Sequence, residues 1–236
     1  MMVKLNAQFA LITQEIWMKT FLSIGSGPGI GYATAERFAQ EGFRIVLSAR
    51  SIEKTQALAK KLIKQGHSVA VHKVDAADPA SVAALVAEVE QQYGSLDVLH
   101  YNAASIRQAS ISSQPRDTFL SDLAVNIGGA LVATQAAAPA LARSGTGALL
   151  LTGGGFALFP HPDYLSISIG KAGIRAQALG LFESFKEQNI HVATVTVATF
   201  VNPDSKESTD IAQEFWKLYT QPKESWTAEV TYPASA

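Results

Sequence analysis

The stretch Gly25-Ser26-Gly27-Pro28-Gly29-Ile30-Gly31 constrains this chain more than any other. Before it, Thr20-Phe21-Leu22-Ser23-Ile24 is short, apolar and β-prone, which predicts a buried strand. After it, Tyr32 to Gln40 carries Ala33, Ala35 and Phe38-Ala39 at helical spacing. A glycine-rich turn between strand and helix suits an anion. Missing side chains let a ligand reach the backbone, and the first helical N–H groups and the positive dipole end point at it. Gly and Pro also mark ordinary tight loops; the strand before and the helix after make a nucleotide site the expectation.

The same alternation continues. Arg44-Ile45-Val46-Leu47-Ser48-Ala49 reads as a second strand ending at Arg50, and Ile52 to Gln65 as a helix with Thr55, Leu58 and Leu62 inward and Gly66 after it. Val69 to Val74 is a third strand ending in Asp75. Asp78 then caps a helix with Pro79 at its first position, running to about Tyr93. Leu96 to Tyr101 is a fourth strand, ending in Asn102-Ala103-Ala104. A polar loop leads to an Ala-rich helix, Thr118 to Ala142. Ala148 to Thr152, followed by Gly153-Gly154-Gly155, is the fifth strand; Tyr164 to Glu187 is helical; His191 to Val197 is the sixth strand. Strand and helix alternating over short connections predict an α/β fold, a Rossmann-type doubly wound parallel sheet flanked by helices. Ligands on such sheets bind beyond the carboxyl ends of the strands, so Gly25 to Gly31, Arg50, Asp75, Asn102 and the triple glycine should line one crevice.

With 236 residues, 47% hydrophobic, 17% charged and a net charge of −1, the chain fits one well-filled domain and gives no sign of a nucleic-acid or membrane partner. The absence of cysteine removes disulfides, thiolate metal sites and cysteine nucleophiles, and is compatible with the expected cytoplasmic location. No uninterrupted apolar run reaches the length of a membrane span, and no His/Asp/Glu spacing suits a metal. Residues 1–18 read as an N-terminal extension, with Leu5, Phe9, Ile12 and Ile16 near helical spacing, ahead of a domain over 19–236.

From about Lys19 to the sixth strand or beyond, the chain resembles the short-chain dehydrogenase/reductase family. Gly25, Gly29 and Gly31 match that family's G-x-x-x-G-x-G cofactor loop, with Ile24 in place of a Thr whose hydroxyl braces it. Asp75-Ala76 falls where the family contacts adenine. Asn102-Ala103-Ala104 resembles the Asn-Ala-Gly beside the adenosine ribose. The resemblance therefore implies a bound nicotinamide dinucleotide. Members preferring NAD end the second strand with an acid; here Ala49 is followed by Arg50, whose guanidinium suits a 2′-phosphate, so NADP(H) is expected over NAD(H).

The family's hydride chemistry uses an Asn, Ser, Tyr, Lys tetrad. Lys171 in Lys171-Ala172-Gly173 matches the lysine of Tyr-x-x-x-Lys, which the resemblance implies also holds the nicotinamide ribose of the cofactor, and Asn126 in Ala124-Val125-Asn126-Ile127-Gly128 matches the helix Asn. Ile167 stands at the Tyr position and Gly154 at the Ser position, neither bringing a titratable proton. The Pro-Gly pair expected after the sixth strand is Ala198-Thr199. Tyr164 lies seven residues before Lys171, about 10 Å along the axis, and reads more as a pocket residue than as the general acid. Thr152 reads as a strand end, and His161, between Pro160 and Pro162, as a loop residue. Ser166 and Ser168 are turned about 100° from Ile167. Three functions are open on these residues: an NADP(H)-dependent oxidoreductase on a carbonyl or alcohol with substituted proton donors, a dinucleotide-binding protein without turnover (a sensor or a partner subunit), and a non-redox lyase in the same pocket.

In the tail, Ile211, Phe215, Trp216 and Leu218-Tyr219 fit an amphipathic helix, a candidate flap over the cleft, and Glu229 to Tyr232 a seventh, edge strand. Trp226-Thr227-x-Glu229, with the Gly-Pro-Gly loop and the missing Tyr, resembles a divergent subgroup of the family. The family resemblance also implies a homodimer or homotetramer. Phe156, Phe159, Tyr164 and Phe200 are candidates for an apolar pocket.

Overall fold

The computed structural model describes residues 18–234. Seven parallel strands form the sheet: β1 (Thr20–Ile24), β2 (Arg44–Ala49), β3 (Val69–Lys73), β4 (Val98–Tyr101), β5 (Gly147–Thr152), β6 (Ile190–Val197) and β7 (Glu229–Tyr232). Their order is β3-β2-β1-β4-β5-β6-β7, so the chain reverses its direction of growth between β1 and β4 and opens a crevice there. Register runs from Phe21 opposite Val98 to Ile24 opposite Tyr101 across that junction.

Side-chain alternation along the strands divides the core into two layers. One face buries Leu22, Ile24, Val46, Leu99, Tyr101, Leu149 and Leu151 against α3 (Pro79–Tyr93), α5 (Gly129–Arg143) and α6 (Leu165–Glu187). The other buries Phe21, Ile45, Leu47, Val98, Leu150 and Val195 against α1 (Ile30–Gln40), α2 (Ile52–Lys64) and α7 (Lys206–Thr220). The short helix α4 (Thr118–Leu123) runs through a π turn, Ala124–Gly128, directly into α5.

Two expectations change. The helix α7 is not a flap. Ile211, Phe215 and Leu218 are buried in the second layer, and Trp216 meets Phe38 of α1 edge-on at 5.1 Å, so apolar burial draws the helix onto the sheet and away from the cleft. The continuous helix Thr118–Arg143 has 26 residues and a mean hydropathy of 1.3 in its most apolar window, enough to span a bilayer by length and composition. The sequence expectation counted uninterrupted apolar runs and missed it. Here its Ala130, Ala133, Ala137 and Leu141 face is buried on the sheet.

The seventh strand forms as expected, parallel to β6, and the Trp226 to Glu229 segment clasps it. Trp226 stacks on His191 with ring centroids 4.6 Å apart, and His191 Nε2 bonds to Thr227 O at 2.9 Å. Glu229 accepts from Arg175 Nε at 2.9 Å and from Thr196 Oγ1 at 2.6 Å, tying β7 to α6 and β6. The segment therefore holds the sheet edge. The N-terminal extension lies outside the described residues except for Met18.

Candidate active site

The loop between β1 and α1 is pinned from below. Gly25 has φ +88°, and a Cβ on it would lie 2.4 Å from the Ala103 nitrogen, so a side chain fits neither the backbone nor the space. At Gly31 a Cβ would lie 2.9 Å from Gly25 O, so α1 approaches the loop only with glycine there. The N–H groups of Gly25 and Ser26 both donate to Ser48 O, at 2.9 and 3.0 Å. Ser26 Oγ accepts from Ser48 N at 3.0 Å and donates to Ser23 O at 3.1 Å, which supplies a brace where Ile24 has no hydroxyl.

The upper side of the loop is open. A Cβ at Gly27 or Gly29 would meet nothing within 4 Å. Among the described residues, nothing accepts a hydrogen bond from the N–H groups of Gly29, Ile30 or Gly31; the first bonds of the helix are Tyr32 N to Gly27 O and Ala33 N to Gly29 O. Three neighbouring donors without acceptors at the start of an eleven-residue helix suit an anion.

That loop lines one end of a cleft of about 1340 Å³. Arg50, Asp75, Ala76, Asn102, Ala103 and Ala104 also line it, so the expected strand-end residues do converge. Arg50 is exposed, and its guanidinium has no partner among the described residues. Beside it, Ser51 caps α2 by accepting from Lys54 N, and Lys54 reaches the same cleft. Asn102 Nδ2 donates to Gly25 O at 2.8 Å, locking β4 to the loop. One oxygen of Asp75 accepts from Ala77 N at 3.0 Å, holding the turn after β3.

At the other end, Lys171 on α6 reaches the tip of β5, where Nζ donates to Thr152 O at 2.6 Å. Burial pushes its pKa down to about 8. Its stem passes over Gly154, where a Cβ would lie 3.1 Å from Lys171 Cγ. Ile167, one turn earlier and only 3% exposed, faces the same cleft. Thr152 is held from behind: its Oγ1 lies 3.0 Å from His100 Nε2, and the fully buried His100, pushed down to about 3, is neutral at pH 7. Tyr164 precedes α6 and stacks on Phe156 at 5.3 Å, with His161 at 5.5 Å, so it belongs to the pocket mouth. His161 lies in an exposed loop and also lines the cleft. Ser166 and Ser168 donate to Gln114 Oε1 and Tyr164 O, at 2.9 and 2.8 Å, and are committed to structure.

Asn126 sits in the π turn, 2% exposed. Its Oδ1 accepts from Ser105 N at 2.6 Å and its Nδ2 donates to Ser105 O at 3.0 Å, so both ends of the amide hold the loop after β4. Tyr101 Oη donates to Val125 O at 2.6 Å and supports the turn from the sheet. The sequence reading missed the network beneath. Arg107 pairs with buried Asp122 through Nε at 2.7 Å and Nη2 at 3.1 Å, while Ser105 Oγ and Gln114 Nε2 donate to the same carboxylate. The bonds from Arg107 hold Asp122 below the usual carboxylate range. Asp122 lies four residues before Asn126, a spacing that places both on one helix face and was available as a signal.

The pocket mouth also has exposed apolar side chains. Ile106, Phe159 and Phe200, from the loops after β4, β5 and β6, line the cleft and are 73%, 77% and 84% exposed.

A family model described as short chain dehydrogenase matches residues 19–213. An uncharacterised oxidoreductase of Staphylococcus aureus (strain USA300) is 28% identical over 225 residues, covering 90% of this chain and 96% of that protein. The solved structure of a short-chain dehydrogenase from Rhodopseudomonas palustris, 25% identical, superposes with a TM-score of 0.83 over 92% of this chain and 99% of the other. A metagenomic short-chain oxidoreductase, solved in complex with NADP and 24% identical, gives 0.84 over 92% and 98%. The glycine loop, the parallel sheet and these matches agree: the chain belongs to the short-chain dehydrogenase/reductase family.

Proposed function

We propose that this protein is an NADP(H)-dependent oxidoreductase acting on a carbonyl or alcohol, at a site that departs from the family's usual proton-transfer residues. The observation that carries the reading is the free donor set at one end of the cleft: Gly29, Ile30 and Gly31 N–H groups without acceptors, and an uncommitted Arg50 directly after Ala49, the position at which an NAD-preferring site has a carboxylate. On this reading the loop residues Gly25 to Gly31 hold the pyrophosphate and Arg50 the 2′-phosphate. Asp75 and Ala76 lie against the adenine, and Asn102 to Ala104 support the ribose side. The bound dinucleotide supplies a hydride. Lys171 and the apolar wall of Ile106, Ile167, Phe156 and Phe200 then face the substrate. The NADP held by the metagenomic relative supports the cofactor class.

Ile167 and Gly154 favour a second reading, a dinucleotide-binding protein without turnover, because together they remove the two side chains the family uses for proton transfer and polarisation. The cofactor half of the proposal is tested by fluorescence titration with both dinucleotides. NADPH is expected to bind more tightly than NADH, and binding of neither overturns both readings.

We further propose a homo-oligomer. Leu120 and Leu131 on α4 and α5, and Ile169 and Leu179 on α6, are 80%, 52%, 49% and 44% exposed on the two helices that the family pairs between subunits. Sedimentation at micromolar concentration should show a species larger than the 25.1 kDa chain; a monomer alone contradicts it.

A further inference from the structure

Three titratable side chains line the substrate end of the cleft: Lys171, His161 and Tyr164. Tyr164 and His161 sit at the mouth, packed on Phe156 and on one another. Lys171 lies deeper, where α6 meets the tip of β5. One of its N–H groups is fixed on Thr152 O at 2.6 Å, which leaves the rest of the ammonium for the cleft. The position depends on Gly154, since any Cβ there would come within 3.1 Å of Lys171 Cγ, 3.4 Å of Cδ and 3.5 Å of Cε. Ile167 puts an apolar surface beside it in place of a phenol.

We propose that Lys171 is itself the proton donor of the reaction, its ammonium aimed at the substrate oxygen by the Thr152 carbonyl and given passage by Gly154. This rests on the oxidoreductase reading. As hydride reaches the carbonyl carbon, the C=O π pair moves to oxygen. An N–H bond of Lys171 breaks and that proton forms the O–H bond of the alcohol. Lys171 is left as a neutral amine, which solvent reprotonates, and the dinucleotide leaves oxidised. The balance is one hydride and one proton per carbonyl.

The surroundings suit the role. Among the described residues no carboxylate hydrogen-bonds Nζ, and burial alone lowers the lysine to about 8, close to working pH, where general-acid efficiency peaks. The group facing it from β4, through Thr152, is the neutral His100; from the loop between β5 and α6 come Tyr164 and His161. Reduction therefore requires protonated Lys171. The rate should be full below pH 8 and fall about tenfold per pH unit above it.

The test has two arms. In the free protein, lysine side-chain ¹⁵N NMR should show one resonance, absent from Lys171→Arg, titrating near pH 8; a midpoint near the ordinary lysine value of about 10.4 overturns the proposal. In single-turnover oxidation at saturating NADPH, so that any loss of cofactor affinity is overcome, Lys171→Met should lose at least about 10²-fold in rate. A Lys171→Met protein that keeps the wild-type rate and pH profile overturns this assignment and leaves the oxidoreductase reading standing. So does loss of the alkaline limb in Tyr164→Phe or His161→Asn. A wild type that never oxidises bound NADPH overturns both.

Discussion

Combining Ile167→Tyr with Gly154→Ser is expected to raise carbonyl reduction by about 10²-fold, the scale of one well-placed general acid. Position 167 is one helical turn before Lys171 and lines the cleft, so a phenol there shares a face with the ammonium. The serine is the constrained half. A Cβ at 154 sits 3.1 Å from Lys171 Cγ, so the flexible stem must give by a few tenths of an ångström. Gly154→Ser alone should therefore lower the rate, by displacing Nζ from Thr152 O, while the pair raises it. Single-turnover rates of the wild type, the serine variant and the pair check this. No gain in the pair with unchanged NADPH affinity would mean that the pocket differs from its family by more than two side chains.

The second large effect is on cofactor choice. Arg50→Ala should weaken NADPH about 10- to 100-fold, because hydrogen bonds to a charged group contribute about 1.5–3 kcal/mol and each 1.4 kcal/mol is a factor of ten. NADH, lacking the 2′-phosphate, should change by less than about threefold, corresponding to under 1 kcal/mol. Exposure and the neighbouring Lys54 both moderate the loss, and added salt should shrink it further. Fluorescence titration of both variants with both dinucleotides measures the split. Equal losses for NADPH and NADH would remove Arg50 from the 2′-phosphate.

How much of this was legible in the sequence follows from what each signal depends on. The glycine loop and the strand-end residues are local: Gly25, Arg50, Asp75 and Asn102 lie at places that short-range patterning marks, and the parallel topology then brings them to one edge. The expectation at Ile167 and Gly154 came from the motif spacing as well, counted from Lys171. What Lys171 does was not legible. Its contact with Thr152 O and its passage over Gly154 join residues that only the packing of α6 on β5 brings together. Asn126 shows the same limit: its spacing marked a site residue, whereas the π turn and its grip on Ser105 arise from the tertiary fold. The tail was misjudged for a related reason. Amphipathic spacing from Ile211 to Leu218 reports an apolar stripe, and the stripe alone does not say whether it covers a cleft or a sheet.

The central claim is the proposal that a hydride leaves this site with Ile167 and Gly154 at the positions that the motif spacing assigns to the family's Tyr and Ser. The direct test is stopped-flow single-turnover oxidation of NADPH bound to the wild-type protein, with aldehydes, ketones and enones as acceptors. The account predicts that bound NADPH is oxidised by at least one uncharged, apolar member, as a pocket walled by Phe156, Phe159 and Phe200 requires. Tight NADPH binding with no oxidation by any acceptor would contradict it and make the protein a dinucleotide-binding member of its family.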